Sequence, residues 1–278
     1  MAVAHKDFES KEKPVSTERE ARRHGPWLGI YTAVVMTYLF LPIVVIILFG
    51  FNDPEGRFNF VFNRFTLENY QTLFENEELT LALKNSLIVA SLSTVVAVVF
   101  GTLIALALTR FRFRGRSALN FFLFVPMATP EIVLGVSLLA LFVTLGFGRG
   151  LATILIAHIM FSISYVVVTV KARTSGFDTN LEDAAQDLGA TPVSAFWTVT
   201  WPLIWPGVLA AGLLVFVLSL DDYVITSFNA GSTAMFPLWI YGASRIGVPP
   251  AVNIMGTLIF LLGVVYVVIS LLRERRQT

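Results

Sequence analysis

Apolar residues in this chain gather in runs of about twenty or more, separated by short polar interruptions, and those runs define its elements. A helix needs roughly 20 consecutive apolar residues to cross a hydrocarbon core. Six stretches meet that length: Trp27–Gly50, Asn85–Leu108, Ala118–Leu145, Leu151–Val170, Gly207–Phe228 and Ala251–Leu272. The third is long and carries Pro126 and Pro130, so it is expected to kink or break. Outside the spans lie a polar leader over 1–26, two segments at 51–84 and 229–250, a connection over 171–206, and a short tail over 273–278. The segment 51–84 is acidic near Glu75, Glu77 and Glu78 and is expected to hold short helical pieces. In 229–250, Phe236, Trp239 and Tyr241 mix with Gly231, Pro237 and Gly242, which suits a short interfacial helix, a re-entrant piece or an aromatic belt.

Composition turns these runs into membrane spans. Of 278 residues, 55% are hydrophobic and only 14% charged, against roughly 25% charged in soluble domains; mean hydropathy is +0.73. That much apolar surface needs lipid as solvent, so the chain reads as an all-α integral membrane protein in contact with the bilayer. Lys and Arg placement then orients it. With the N-terminus inside, the cytoplasmic segments carry Lys6, Lys11, Lys13, Arg19, Arg22, Arg23, Arg110, Arg112, Arg114, Arg116, Lys171, Arg173, Arg273, Arg275 and Arg276. The other side keeps only Arg57, Arg64, Lys84, Arg149 and Arg245, and this asymmetry puts both termini in the cytoplasm. The leader resembles the start of a signal peptide, but the apolar run behind it is too long and has no small-x-small cleavage site. Residues 1–26 are therefore read as a disordered cytoplasmic tail ahead of an uncleaved anchor.

Several chemistries drop out. The absence of cysteine removes disulfides, thiolate catalysis and Cys-ligated metals. His5, His24 and His158 are too scattered for a metal site, and no G-x-x-x-x-G-K-[ST] phosphate loop occurs. Gly146-Phe147-Gly148-Arg149-Gly150 is glycine-rich but lacks the lysine and hydroxyl, and reads as a turn. No catalytic residue, metal ligand or bound cofactor is expected in this chain.

The cytoplasmic connection is patterned too closely for a plain linker. Thr179-Asn180-Leu181-Glu182 has the T-x-x-E form of a capping box, so a helix is expected from about Asn180 through Ala184, Ala185 and Leu188. Gly189 stands where a left-handed residue would end it, and Thr191-Pro192 reads as a second N-cap followed by proline at the first helical position. Pro202 and Pro206 are expected to punctuate the far end. Asp183-Ala184-Ala185, then Gly189, then Val199-Thr200-Trp201-Pro202 resemble the E-A-A-x3-G-x9-I-x-L-P loop of bacterial binding-protein-dependent ABC importer permeases. The spacing matches throughout; Asp for Glu, Val for Ile and Trp for Leu depart from it. The resemblance implies a type I ABC importer permease fold in the bacterial inner membrane, with Asp183, Ala184, Ala185, Gly189, Val199 and Pro202 docking a separate ATPase. It also implies a second six-span permease, two ATP-binding subunits that hold ATP and Mg, and an external substrate-binding protein. A nucleic-acid partner is not expected.

Ionisable groups within spans are expensive and are functional candidates by default. Glu131 in span 3 and Asp221 and Asp222 in span 5 fall at similar depth, roughly 20–22 Å from the inner ends of outward-running helices at 1.5 Å per residue. No Lys or Arg lies within either span. Pro126 and Pro130 free carbonyls near Phe122 and Pro126, and carboxylates beside freed carbonyls favour a cation with several N–H donors. If span 5 ends early, the Asp pair is interfacial instead. Pro126-Met127-Ala128-Thr129-Pro130-Glu131, Ser219-Leu220-Asp221-Asp222-Tyr223, Pro237-Leu238-Trp239-Ile240-Tyr241 and Gly247-Val248-Pro249-Pro250-Ala251-Val252-Asn253 are similar to the second permease of spermidine/putrescine importers. That resemblance implies polyamine cargo and a pathway at Glu131, Asp221, Asp222 and Tyr223. Importers of other small organic or metal-bearing cargo share parts of these motifs. An intramembrane enzyme would need a constellation around His158, which has no carboxylate at i±3 or i±4, so a satisfied or interface-facing histidine is expected. A membrane scaffold without transport would need neither the glycine-turn loop nor the acidic level.

Overall fold

A computed structural model describes residues 26–176 and 180–274. In chain order the helices are α1 (Pro26–Gly50), α2 (Glu68–Gln71), α3 (Glu77–Arg110), α4 (Arg116–Ala128), α5 (Glu131–Thr144), α6 (Leu151–Thr174), α7 (Asn180–Asp187), α8 (Pro192–Ala195), α9 (Trp201–Asp221), α10 (Val224–Asn229), α11 (Phe236–Ile246) and α12 (Pro250–Glu274). A 3-10 turn over Leu73–Glu75 follows α2, and a π-helical stretch over Phe196–Thr200 joins α8 to α9. Among the described residues there is no strand, only isolated bridges pairing Asn52 with Phe65 and Phe58 with Val248. The N-terminal tail and Thr179 lie outside the described residues.

Among the described residues, four helices are long and apolar enough to cross a membrane, and the α4–α5 pair adds a fifth if counted as one broken span. α12 follows the sixth predicted stretch, Ala251–Leu272. The second span starts earlier than hydropathy suggests. Asn76 accepts the N–H of Leu79 at 3.0 Å, and Glu77 and Glu78 occupy the positive first turn, so the helix begins at Glu77. Its 34 residues reach about 51 Å, long enough to project beyond the hydrocarbon.

Span 5 departs from expectation at both ends. Helix runs continuously from Pro192 to Asp221, so Pro202 and Pro206 do not end the preceding helix. The π-helical stretch explains why: Pro202 has no N–H to donate, and Trp201 donates instead to the Phe196 carbonyl, five residues back. Trp197, Trp201 and Trp205 share one face of this helix, with successive ring centroids 5.5 and 5.4 Å apart. At the other end the helix stops at Asp221, short of the predicted Phe228, and restarts as α10.

The core is a three-helix contact of α3, α6 and α9. Buried Ala82, Ser86, Ala90, Ala97, Gly101 and Ala105 line α3 with small side chains that let its neighbours approach. Gly101 is the tightest point: a β-carbon there would lie 2.6 Å from Cγ1 of Val166 and 3.3 Å from the Ile163 carbonyl oxygen. The Val166 Cβ, at 2.7 Å, is nearly as close, so trimming Val166 to alanine would not make room. We expect Gly101→Ala to destabilise the protein by about 1–3 kcal/mol, read as a lowered unfolding midpoint in detergent. An unchanged midpoint in that variant would contradict this packing.

The outer elements are looser. α1 is apolar all round and only 6% of its most apolar window is buried against protein; it packs on α12. Such a helix is solvated by lipid rather than by the chain's own core. A short helix does form in the segment after span 5, α11, and protein contacts hold it: the Phe236 N–H donates to Ser86 Oγ at 2.9 Å, and Asn85 Nδ2 donates to the Ala234 carbonyl at 2.9 Å.

Candidate functional site

Two helix breaks build the first site. Between α4 and α5 the axis turns by 107°. Pro130 cannot donate to the Pro126 carbonyl, and the Thr129 hydroxyl folds back onto the Val125 carbonyl at 2.6 Å, so α4 ends there. Glu131 then opens α5, in the first turn, where the helix dipole favours a carboxylate. The second break falls at Asp222-Tyr223, between α9 and α10. Here the Asp222 carboxylate restarts the helix: Oδ2 accepts the Thr226 N–H at 2.8 Å and Oδ1 accepts the Ile225 N–H at 3.3 Å.

α10 packs against α5, which brings the two breaks together around a cavity of about 340 Å³. All four residues expected along the pathway, Glu131, Asp221, Asp222 and Tyr223, line it. Phe161 and Tyr165 from α6 add aromatic wall, and Met127, Leu134 and Leu218 add apolar wall. No Lys or Arg is among the lining residues. The side chains of Glu131 and Asp221 are exposed in the isolated chain and make no hydrogen bond or ion pair with any described residue. A smaller cavity of about 250 Å³ shares Asp221 and Tyr223 with the first and is closed by α11; there the Tyr223 ring lies 4.5 Å from that of Tyr241. Arg245 stacks over Tyr241 at 4.6 Å and donates to its hydroxyl.

Asp222 differs from its neighbour. Its side chain is 7% exposed, and His158 of α6, fully buried, places Nε2 3.3 Å from Asp222 Oδ2. The ring also meets Ser219 Oγ at 2.6 Å through Nδ1 and Thr226 Oγ1 at 3.0 Å through Nε2. The expected satisfied histidine is thus observed, with partners from span 5. Sequence reasoning restricted to neighbours on the same helix missed them. A partial signal was present: Ser219, Asp222 and Thr226 stand at i, i+3 and i+7 in span 5, which marks a polar face but not its partner.

The second site is the elbow formed by α7 and α8 between α6 and α9. The Gly189 N–H donates to the Gln186 carbonyl at 2.9 Å and the Ala190 N–H to the Ala185 carbonyl at 3.0 Å, with Gly189 at φ +95°. This paired pattern with a left-handed residue closes α7 as expected. Thr191 caps α8 by accepting the Ser194 N–H at 3.2 Å, and Pro192 follows at the first helical position. Of the residues expected to dock an ATPase, Asp183, Ala184 and Gly189 are exposed on the elbow and Ala185 is half-buried. Val199 and Pro202 sit apart from them on the span-5 helix: Pro202 is exposed, and Val199 forms part of a cavity wall with Leu181 of α7.

Two features of the elbow escaped the sequence. Leu188, just before the glycine, is 90% exposed, and Val193 is 69% exposed, so the tip presents apolar surface. Arg110, at the end of α3, braces the elbow from behind by donating to Glu182 and, at 2.9 Å, to Thr200 Oγ1. Replacing Arg110 with Gln should reduce coupling of ATP hydrolysis to transport severalfold while leaving membrane insertion unchanged. Wild-type coupling in that variant would show that the brace is dispensable.

Comparison with known proteins completes the description. The family described as "Binding-protein-dependent transport system inner membrane component" matches residues 97–277. The chain is 39% identical over 245 residues to the spermidine/putrescine transport system permease protein PotC of Haemophilus influenzae, covering 88% of this chain and 95% of that protein. It is 36% identical over 243 residues to the putrescine transport system permease protein PotI of Escherichia coli K12, covering 84% and 86%. Among solved structures, a bacterial ABC transporter involved in the import of the acidic polysaccharide alginate shares the fold, with a TM-score of 0.65 at 17% identity over 94% of this chain and 98% of that one. An amino acid ABC transporter does so with a TM-score of 0.58 at 19% identity over 76% and 99%. By family, by relatives matched across most of their length and by fold, this chain belongs to the inner membrane permease components of binding-protein-dependent ABC transport systems.

Proposed function

We propose that this chain is the permease subunit of an importer for polyamines such as spermidine and putrescine, and that cargo crosses beside Glu131, Asp221 and Tyr223. The observation that carries this reading is the cavity between the two breaks, where Glu131 and Asp221 stand unpaired in a wall without Lys or Arg. A polyamine alternates ammonium centres with methylene segments. Carboxylates suit the first, aromatic rings attract cations at their faces, and apolar wall suits the second. The relatives whose names carry spermidine or putrescine point the same way. An acidic polysaccharide of the kind imported by the fold relative would meet like charge here.

In this reading the chain has six spans with both termini cytoplasmic and carries no ATPase site of its own. It pairs with a second six-span permease, two ATP-binding subunits and an external binding protein. The exposed apolar tip at Leu188 and Val193 is the surface a partner would cover. ATP binding closes the ATPase pair, the elbow moves as a unit because capping and Arg110 make it rigid, and α9 carries that motion to the break at Asp222. Helix continuity from Pro192 to Asp221 supports this link, since no flexible loop intervenes.

The test is ATP hydrolysis by the assembled complex, measured with the binding protein offered spermidine, putrescine, an amino acid or an acidic sugar in turn. Polyamines alone should stimulate hydrolysis. Stimulation by the amino acid or the acidic sugar in their place would overturn the cargo assignment.

A further inference from the structure

We propose that the tandem carboxylates at the break of span 5 have separate duties. Asp222, locked to His158, is a positioning residue that holds the break open, whereas Asp221 and Glu131 are the carboxylates that meet cargo. The cargo half of this inference rests on the pathway reading above; the locking half rests on geometry alone.

An ionised carboxylate has about four acceptor sites. Those of Asp222 face the Thr226 N–H at 2.8 Å, the Thr226 hydroxyl at 2.9 Å, the Ile225 N–H at 3.3 Å and the His158 ring at 3.3 Å. Three of these contacts fall on Oδ2, whose acceptor sites are filled before any cargo arrives, whereas Oδ1 carries only the longer contact to Ile225. A cargo ammonium taking those sites would strand the Thr226 N–H and the fully buried imidazole without partners, and buried donors left unmade carry the full desolvation cost. Asp221, one residue earlier at the end of α9, faces two cavities and has no partner to lose.

The His158 contacts also have a direction. The Thr226 hydroxyl donates to Asp222, so its oxygen accepts, and the imidazole hydrogen must sit on Nε2. Nδ1 meets Ser219 Oγ, which lies 3.1 Å from Ser93 Oγ on α3. One hydrogen-bonded chain therefore ties α3, α6, α9 and α10 together at the break. The Phe161 ring, centred 5.4 Å from the imidazole, also lines the main cavity. Loss of this chain would let α10 rotate and carry Tyr223 and Asp221 out of register with Glu131. That is why His158, which touches no cargo, would still matter for transport.

Because the chain has no cysteine, thiol labelling separates the two duties. In the assembled transporter, with reactive cysteines removed from its partners, Glu131→Cys and Asp221→Cys should react with 2-aminoethyl methanethiosulfonate. Spermidine should slow that reaction. Asp222→Cys should react about tenfold or more slowly, as expected for a buried position. Equal rates at Asp221→Cys and Asp222→Cys overturn the division of duties and leave the pathway standing. No reaction at Glu131→Cys and Asp221→Cys overturns the pathway itself.

Removing the Asp222 carboxylate also unlocks the break, so a second pair of variants is read by uptake. His158→Gln with Asp222→Asn keeps hydrogen-bonding groups on both sides of the contact without charge. It should hold the cargo KM within about threefold of wild type while lowering the maximal rate, whereas Asp221→Asn raises KM about tenfold or more. A tenfold rise in the double variant would make Asp222 a cargo ligand and overturn the proposal.

Discussion

Gly189→Asp is expected to abolish uptake, with the complex losing its ATPase during purification while the chain still inserts and folds. Gly189 sits at φ +95°, where a side chain costs roughly 1–2 kcal/mol, and aspartate is among the residues that tolerate this region best. No atom lies within 4 Å of a β-carbon built there. The free chain therefore has room for the new side chain, and a total loss of transport cannot come from internal packing. The docking reading assigns it to a surface that closes over the elbow; the alternative is the backbone cost at this φ. Gly189→Ala separates strain from docking: it carries a similar backbone cost with a smaller side chain and no charge, and should retain a measurable fraction of uptake. Equal, complete losses in both variants would assign the effect to the backbone. Wild-type coupling in Gly189→Asp would remove the docking role altogether.

The second large effect concerns the acidic cavity. Glu131→Gln and Asp221→Asn should each reduce spermidine uptake at limiting substrate by about 10- to 100-fold, the range set by roughly 1.5–3 kcal/mol for a hydrogen bond to a charged group. Neither side chain makes a hydrogen bond or ion pair with any described residue, so neither substitution strands a buried donor among them. The loss should therefore appear in uptake and leave the unfolding midpoint unchanged. His158→Ala makes the opposite signature, because its ring is fully buried and its removal takes one buried hydrogen-bonding contact each from Ser219, Asp222 and Thr226. That variant should lower the unfolding midpoint together with transport. Normal uptake by both Glu131→Gln and Asp221→Asn would end the cation-pathway reading.

The contrast between these residues shows what a one-dimensional pattern can carry. Gly189, Thr191 and Pro192 were legible because caps and left-handed turns are local, decided by backbone groups within a few residues. The convergence of Glu131 with Asp221 was legible through depth, since both stand at similar distances along their predicted spans. The partnership of Asp222 with His158 was not, because it depends on the rotation of α6 relative to α9, which packing sets. The same holds for Arg110, whose value as a brace requires the end of α3 to lie behind α7. Pro202 and Pro206 misled for a different reason: proline removes one helical bond, and a π-helical stretch upstream absorbs the loss without ending the helix. Exposed apolar residues pose a similar ambiguity. Leu188 at the elbow and the apolar face of α1 are both uncovered in the isolated chain, yet one is polar-flanked and brief whereas the other extends over a whole span. The proposed function gives them different solvents, a protein partner for the first and lipid for the second.

The most direct test of the account is accumulation of labelled spermidine by proteoliposomes containing the complete transporter, with its binding protein outside and ATP inside. The account predicts ATP-dependent accumulation that putrescine inhibits and an acidic sugar does not, and that is lost in both Gly189→Asp and the Glu131→Gln, Asp221→Asn double variant. Spermidine accumulation that persists in the double variant, or ATP-dependent accumulation of an anionic cargo in its place, would contradict it.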